Sequence, residues 1–278
     1  MNPLTVAQAL AEARAMGVDR LDAQLLLARA LGRTRTWLLA HDDATLGDEQ
    51  AAALRADLLR RSQGEPLAYL LGEKEFHGLT LHVNPHVLVP RPETELLVDW
   101  GLELCGGALT HAARASLLDL GTGSGAIALA LKHALPAAQV SASDISPQAL
   151  AVARANAQRL GLAIEFHQGS WWDGLDGQRF HIVLSNPPYI EPDDPHLPAL
   201  RHEPRMALTP EGSGLRALEA IVSGASAHLE PGGWLLLEHG HDQAADVQAL
   251  LSQHGFSSPQ TRQDLAGLPR CTGARRQA

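Results

Sequence analysis

Cysteine, positive charge and long apolar runs are all scarce in this sequence. The two cysteines, Cys105 and Cys271, lie far apart, which excludes a disulfide framework or a Cys-x-x-Cys site. Lysine and arginine total 22 against 31 aspartates and glutamates, and this net charge of −9 disfavours a protein built to grip DNA or RNA. No run approaches the roughly 18 apolar residues of a membrane span, and no signal-peptide pattern begins the chain. We therefore expect a cytoplasmic protein that contacts neither nucleic acid nor a membrane.

Histidine is frequent, with 14 residues, but it is scattered along the chain. His239 and His241 form the only close pair, and they lack cysteine or acidic partners at the spacing of metal ligands. We therefore expect no metal site.

A small helical domain is predicted for residues 1–75. Thr5 and Gln8 have the spacing of a capping box, and Asp19 and Asp48 stand where two further helices should begin. Apolar residues recur at helical spacing after each of these positions. A domain of this size is marginal alone, so we expect it to be joined to a larger one.

Residues 76–92 change to the alternating pattern of β-strands. Apolar residues alternate between Phe76 and Val83, and Val87–Val89 forms a second apolar run after the turn signal Asn84-Pro85. The pattern predicts a β-hairpin in which these two runs pair. This hairpin would link the helical domain to a larger domain at residues 93–278.

Strand and helix patterns alternate through residues 93–278. Strands are predicted at 117–120, 139–145, 164–168, 180–185, 234–238, 257–262 and 270–275. Helices are predicted at 93–105, 126–134, 147–160, 215–229 and 242–254. This alternation is typical of an α/β fold with a mostly parallel sheet that helices cover on both faces.

A glycine-rich segment joins the first predicted strand of this domain to the following helix. Glycines at alternate positions allow a sharp turn and a close approach to a ligand at the helix N-terminus. Asp144 ends the next strand, where a carboxylate can accept hydrogen bonds from both hydroxyls of a ribose. The candidate ligands in the segment are Gly121, Thr122, Gly123, Ser124 and Gly125. Their spacing also fits a dinucleotide fingerprint, so the segment alone leaves a nicotinamide cofactor and S-adenosylmethionine both open.

The motif Asn186-Pro187-Pro188-Tyr189 follows another predicted strand and favours methyl transfer to a planar nitrogen. An amide nitrogen is a poor nucleophile. An enzyme must therefore hold it in line with the methyl group of the donor and supply hydrogen-bond acceptors for its two N–H protons. The Asn186 side-chain oxygen and a backbone carbonyl of the two prolines can accept them. The prolines restrict the backbone and so preorganise these acceptors, and Tyr189 offers a flat face for stacking.

The whole pattern resembles the protein-(glutamine-N5) methyltransferases that modify class 1 peptide-chain release factors. The stretches that carry the resemblance are 64–72, 76–79, 87–95, 119–125, 144–146, 186–189 and 203–208. The resemblance implies a Rossmann-like S-adenosylmethionine-dependent methyltransferase fold with a seven-stranded sheet. It also implies that the target is the glutamine of a Gly-Gly-Gln motif in the release factor.

The resemblance further implies roles for individual residues. Gly121 to Gly125 would wrap the methionine part of S-adenosylmethionine, and Asp144 would hold its ribose. Trp171 would lie against the adenine, with Trp172 as an alternative. Asn186 would contact both cofactor and substrate, and the two prolines and tyrosine after it would complete the glutamine pocket. Arg91, Glu93 and Thr94 would border the cofactor.

Three other functions are weighed against this one. A nucleic-acid amino (adenine-N6) methyltransferase would need a basic surface to hold a flipped base, which the charge balance disfavours. An NAD-dependent oxidoreductase would leave the Asn-Pro-Pro-Tyr motif unexplained, and a non-catalytic adaptor would not need the glycine segment. The helical domain lies outside the candidate cofactor residues, so we expect it to recognise the protein substrate. Exposed basic residues expected to take part are Arg33, Arg35, Arg60 and Arg61.

Overall fold

The computed structural model describes residues 3–107 and 115–277. The chain divides into two units, residues 1–73 and 74–278. The described part of the first unit is helical: α1 (Val6–Ala15), α2 (Arg20–Leu31), α3 (Arg35–Ala40), α4 (Asp48–Ser62) and α5 (Leu67–Leu71). The predicted capping box is confirmed, since Thr5 Oγ1 accepts from the Gln8 N–H at 3.2 Å and Gln8 Oε1 accepts from the Thr5 N–H at 3.0 Å. Asp19 caps α2, whereas Gly47 rather than Asp48 precedes α4.

Two arginines of the helical unit form ion pairs, and for Arg61 the ion pair changes the interpretation. Arg61 is half-buried, and its Nε lies 2.6 Å from Asp22 Oδ2. Arg60 pairs with Glu65 at 2.5 Å between Nη2 and Oε1. The prediction of a freely exposed Arg61 is therefore wrong, because its charge is neutralised between α2 and α4.

The β-hairpin forms between β1 (Glu73–Phe76) and β2 (Leu79–His82). His77 and Gly78 both have positive φ, 48° and 77°, which suits the twist of a two-residue hairpin turn. The predicted pairing of 76–83 with Val87–Val89 is wrong. Val87 and Val89 are buried, but neither belongs to a strand.

The second unit alternates strands and helices in the predicted order. Its strands beyond the hairpin are β3 (Ser116–Leu120), β4 (Gln139–Asp144), β5 (Glu165–Gln168), β6 (Phe180–Ser185), β7 (Leu229–Glu238), β8 (Phe256–Gln263) and β9 (Pro269–Arg276). Its helices are α6 (Glu95–Gly106), α7 (Ala126–Ala134), α8 (Pro147–Leu160), α9 (Arg216–His228) and α10 (Ala244–Gln253). Within the described ranges, no helix has both the length and the apolar character needed to cross a membrane.

Seven strands form one sheet, which is the number that the resemblance implied. Their order is β5-β4-β3-β6-β7-β9-β8. β3 to β7 are mutually parallel, and β9 runs antiparallel to both of its neighbours. The chain runs outward from β3 to β4 and β5, then returns to β6 on the other side of β3. Such a reversal opens a crevice at the carboxyl ends of the two central strands, where α/β sheets bind ligands.

Alternate residues of the central strands fill two separate cores. Leu117 and Ile182 belong to the core on one face, and their neighbours Leu118 and Val183 to the core on the other. Successive side chains of a strand point to opposite faces, so this division follows from the sheet geometry. Burial on both faces explains why these strands are continuous apolar runs in the sequence.

Candidate active site

The glycine loop after β3 turns through three residues in the left-handed region. Gly121, Gly123 and Gly125 have φ values of 74°, 55° and 87°. The φ of Gly125 favours glycine, and a Cβ there would lie 2.9 Å from Leu129 Cδ1 and require that side chain to shift. The N–H groups of Gly121 and Thr122 both donate to the Ser143 carbonyl at 2.9 Å, which fixes the loop against the end of β4.

The Asp144 carboxylate joins two loops at the edge of the sheet. Its Oδ2 accepts from the Gly123 N–H at 2.9 Å, and its Oδ1 accepts from the Ser146 N–H at 2.9 Å. Burial raises the pKa of Asp144, while these backbone hydrogen bonds lower it. An ionised carboxylate has about four acceptor positions, so two remain available to a ligand.

Asp119 is a buried carboxyl group that our candidate site residues did not include. Its Oδ2 accepts from Thr122 Oγ1 at 2.6 Å and from the Ala128 N–H at 3.2 Å, so it fixes the glycine loop and the start of α7. Its Oδ1 is buried without a hydrogen-bond partner among the described residues. Burial raises the pKa of Asp119 to about 7. The position was visible in sequence as the residue that opens the glycine motif, but its role depends on contacts made after the turn.

Asn186 lies directly after β6, at the carboxyl end of the strand beside β3. The Ser185 hydroxyl donates to the Leu120 carbonyl at 2.7 Å and so ties the ends of β6 and β3 together. The Asn186 amide nitrogen donates to Thr94 Oγ1 at 3.0 Å. This bond orients the amide and leaves its Oδ1 atom as the acceptor on the other side.

The side chains of the adjacent residues Trp171 and Trp172 lie in different environments. Trp171 has a φ of 50°, unusual for a bulky residue, and its ring lies close to Gly121, since a Cβ on that glycine would be 3.7 Å from Trp171 Cζ3. Trp172 stacks on His228 with ring centroids 4.7 Å apart, and its Nε1 donates to the Ile221 carbonyl at 3.1 Å. Trp171 is therefore the residue that a ligand can reach.

A cavity of about 680 Å³ brings most of the predicted residues together. The predicted residues that line it are Gly121, Thr122, Gly123, Ser124, Asp144, Trp171, Asn186, Pro187 and Pro188. Gly125 and Tyr189 do not line the cavity. Gly125 instead precedes α7, and the Tyr189 hydroxyl lies 3.3 Å from Glu238 Oε1, to which it donates. Burial raises the pKa of Tyr189 above its usual range.

Two further segments that carried the resemblance also line the cavity. Arg91 and Thr94 line the cavity from one segment, and residues 204–207 line it from the other. The buried Glu203 carboxylate joins the two, since Oε2 accepts from the Val89 N–H at 3.0 Å and Oε1 pairs with Arg91. Within the described ranges, no group of three or more histidine, cysteine or acidic side chains is arranged to hold a metal ion.

Comparisons with known proteins assign both units to families. Residues 4–72 match the family described as the PrmC N-terminal domain, and residues 95–215 match the methyltransferase small domain. A release factor glutamine methyltransferase of Bordetella pertussis is 48% identical over 260 residues, covering 92% of this chain and 95% of its own. Another, of Burkholderia pseudomallei, is 48% identical over 283 residues, covering 99% of this chain and 97% of its own.

A solved structure shares the fold. It is a 16S rRNA N2 methyltransferase of T. thermophilus in complex with AdoMet and guanosine, with a TM-score of 0.55 and 21% identity, covering 74% of this chain and 50% of that one. The sheet with its antiparallel β9, together with the match of residues 95–215 to the methyltransferase small domain, identifies an α/β methyltransferase. Within that class, the chain belongs to the release factor glutamine methyltransferase family.

Proposed function

We propose that this protein transfers the methyl group of S-adenosylmethionine to the side-chain amide nitrogen of the Gly-Gly-Gln glutamine in class 1 release factors. The observation that carries the proposal is that the glycine loop, which follows β3, and Asn186, which follows β6, line one cavity. A methyl donor held by the loop and an amide held by Asn186 would therefore meet within reach of each other.

The cavity residues fit S-adenosylmethionine by their chemistry. The volume of about 680 Å³ lies within the roughly 300–1,000 Å³ of small-molecule sites. Asp144 has acceptor positions for hydroxyl groups, and Trp171 provides a flat surface for a base. The glycine loop lets the backbone approach closely, because Gly121 and Gly123 carry no Cβ.

The reaction moves a methyl group from the sulfonium sulfur to the amide nitrogen; the sulfur retains the bonding electron pair, and the nitrogen loses one proton, which passes to the solvent. Asn186 Oδ1 would accept one N–H of the substrate amide and so hold the nitrogen toward the methyl donor. The rigid backbone of Pro187 and Pro188 would keep the second acceptor, a backbone carbonyl, in place. Tyr189 would support the glutamine pocket from outside the cavity, where its hydroxyl donates to Glu238.

The helical unit is proposed to recognise the release factor. A glutamine side chain is common to all proteins, so selecting one requires contacts away from the amide. The cavity-lining residues all lie between His86 and Ala220, so residues 1–73 are free for that purpose. A translation factor as substrate implies a reaction in the cytoplasm.

Mass spectrometry of release factors tests the proposal. Full-length class 1 factors are incubated with the protein and S-adenosylmethionine, and a gain of one methyl group is sought on the Gly-Gly-Gln glutamine. A factor with Gln→Ala at that position is the matched control. A single-stranded DNA with adenines tests the alternative of nucleic-acid methylation. Methylation of DNA without methylation of the factor would overturn the proposal.

A further inference from the structure

We propose that Asn156 is a positioning residue of the cofactor site, which holds the glycine loop in the shape that binds S-adenosylmethionine. Asn156 belongs to α8 and does not line the cavity. Its side chain is fully buried and contacts two separate segments, the end of β2 and the glycine loop. The inference rests on the cofactor role proposed above for this loop and does not depend on the identity of the methyl acceptor.

Three hydrogen bonds fix the orientation of the Asn156 amide. Its Oδ1 accepts from the His82 N–H at 2.7 Å, and its Nδ2 donates to the His82 and Ser124 carbonyls, both at 2.9 Å. A side-chain amide has two N–H donors, and both are used here. Exchanging the amide oxygen and nitrogen would place an oxygen against two carbonyls and a nitrogen against an N–H. The three partners therefore allow one orientation of the amide.

The two bonds to His82 attach α8 to the edge of β2. The Asn156 amide pairs with both backbone groups of this residue, as a neighbouring strand would. Arg159, one turn further along α8, donates to the carbonyl of Thr80, two residues before His82. Arg159 is exposed, whereas Asn156 is buried and also contacts the glycine loop. The two residues therefore share the attachment to β2, and Asn156 adds the bond to the loop.

The third bond fixes the peptide unit between Ser124 and Gly125. The carbonyl of this unit accepts from Asn156, and its N–H donates to the Thr122 carbonyl at 2.8 Å. Rotation of the unit would break both bonds and change the φ of Gly125, which is 87°. Ser124 is buried, so bulk water would not replace a lost donor. Because an unpaired buried carbonyl is costly, the loop would leave this conformation if Asn156 were removed.

The glycine loop is thus held from two sides. The end of β4 holds the first part of the loop through Ser143 and Asp144, and Asn156 holds its last peptide unit from α8. A ligand that fits one conformation binds less tightly in proportion to the fraction of molecules that have left it. Asn156 therefore contributes to the affinity for S-adenosylmethionine without lining the cavity.

Titration calorimetry with matched variants tests the proposal. Asn156→Ala removes the bond to the loop and should raise the Kd for S-adenosylmethionine about 5- to 50-fold. Arg159→Ala removes the other bond between α8 and β2 and should change the Kd by less than about twofold. Both are measured well below the melting temperature, so that loss of stability alone does not alter the Kd. An unchanged Kd in Asn156→Ala, or an equal rise in both variants, would overturn the proposal.

An isosteric variant provides a rescue experiment and replaces Asn156→Ala if that protein does not fold. Asn156→Asp keeps the shape of the side chain and an acceptor for the His82 N–H. When ionised it cannot donate to the Ser124 carbonyl, but when protonated it can. The ratio of its Kd to the wild-type Kd should therefore be high at about pH 9 and fall toward one at about pH 6. A ratio near one throughout would contradict the role of the donor.

Nuclear magnetic resonance tests the contact without any ligand. Cell-free synthesis with ¹³C-carbonyl serine and ¹⁵N-glycine selects the peptide units of the three Ser-Gly pairs, 124–125, 213–214 and 223–224. The signal of Ser124–Gly125 should shift in Asn156→Ala and stay in place in Arg159→Ala, and the other two pairs serve as references. An unmoved signal in Asn156→Ala would refute the contact. Wild-type protein that binds S-adenosylmethionine but does not methylate release factors would instead refute the proposed function and leave these measurements valid.

Discussion

The Asp144 carboxylate accepts a hydrogen bond from the Gly123 backbone N–H at 2.9 Å, so the end of β4 holds the glycine loop that follows β3. The same carboxylate restrains the start of α8 through the Ser146 N–H. Asp144 therefore shapes the cavity in addition to offering acceptors to a ligand. The glycine loop and the start of α8 both depend on this one side chain.

Replacing Asp144 should weaken cofactor binding. Asp144→Ala removes a charged acceptor and loosens the loop, at a cost of about 1–3 kcal/mol, or roughly 5- to 150-fold in Kd for S-adenosylmethionine. Asp144→Asn keeps one acceptor oxygen and should lose less. Titration calorimetry measures both, with Asp176→Ala at an exposed position as control. Unchanged affinity in Asp144→Ala would remove Asp144 from the site.

Replacing Asn186 should impair turnover more than folding. Asn186→Ala removes the acceptor aimed at the reacting nitrogen, and comparable preorganised groups contribute roughly a hundredfold or more to kcat. The melting temperature should change little, since the side chain makes one hydrogen bond to Thr94 in the structure. Addition of EDTA should leave wild-type turnover intact. Full activity of the variant, or inhibition by the chelator, would contradict the mechanism.

The two adjacent tryptophans should give opposite results. Trp171→Ala should weaken S-adenosylmethionine binding, because its ring borders the cavity. Trp172→Ala should leave that affinity unchanged and lower the free energy of unfolding by about 3 kcal/mol, because its ring stacks on His228 and its Nε1 donates to the Ile221 carbonyl. Calorimetric affinity and denaturant unfolding distinguish them. If Trp172→Ala alone weakened binding, the assignment of the two rings would be reversed.

Stability should fall as pH rises toward neutrality because of Asp119. Burial raises its pKa to about 7 in the folded protein, well above the 3.8 of an exposed aspartate. Between these two values the folded state binds more protons than the unfolded state, so stability is fully present at the acid end and is lost as pH rises through about 7. Asp119→Asn removes one titrating group and should make the fall in melting temperature of the cofactor-free protein between pH 5 and pH 8 shallower, while the buried Glu238, whose pKa is also raised to about 7, keeps part of it. An unchanged slope in the variant would place the titration elsewhere.

Charge reversal at Arg61 should destabilise the helical unit. Arg61→Glu would set two carboxylates side by side, because Arg61 Nε lies 2.6 Å from Asp22 Oδ2 in a partly buried ion pair. The expected cost is about 1–2 kcal/mol, since the pair is only partly shielded from solvent.

Arg14→Glu, on an exposed position of α1, is the control. Denaturant unfolding should show the loss for Arg61→Glu only, and equal effects would mean that the ion pair contributes nothing. A raised KM in Arg61→Glu is therefore not by itself evidence of substrate contact.

The hairpin illustrates where periodicity misleads. Val87 and Val89 are buried, as their alternation indicates, but the Val89 N–H donates to Glu203 at 3.0 Å rather than to a neighbouring strand. Alternation reports which side chains are buried and not what buries them. The true turn, His77-Gly78, lay inside the stretch assigned to one strand, because a histidine with positive φ has no sequence signature as strong as Asn-Gly.

Local sequence determined the helices, the strand order along the chain and the two cavity motifs, because caps, glycine turns and prolines act over a few neighbouring residues. It could therefore identify Gly121, Asp144 and Asn186 as candidate site residues. Tertiary structure alone decided that Trp171 rather than Trp172 lines the cavity, and that the Asn186 amide donates to the Thr94 hydroxyl. Those relationships join positions tens of residues apart through the order of strands in the sheet. Sheet order depends on how the whole core packs, and no local pattern encodes it.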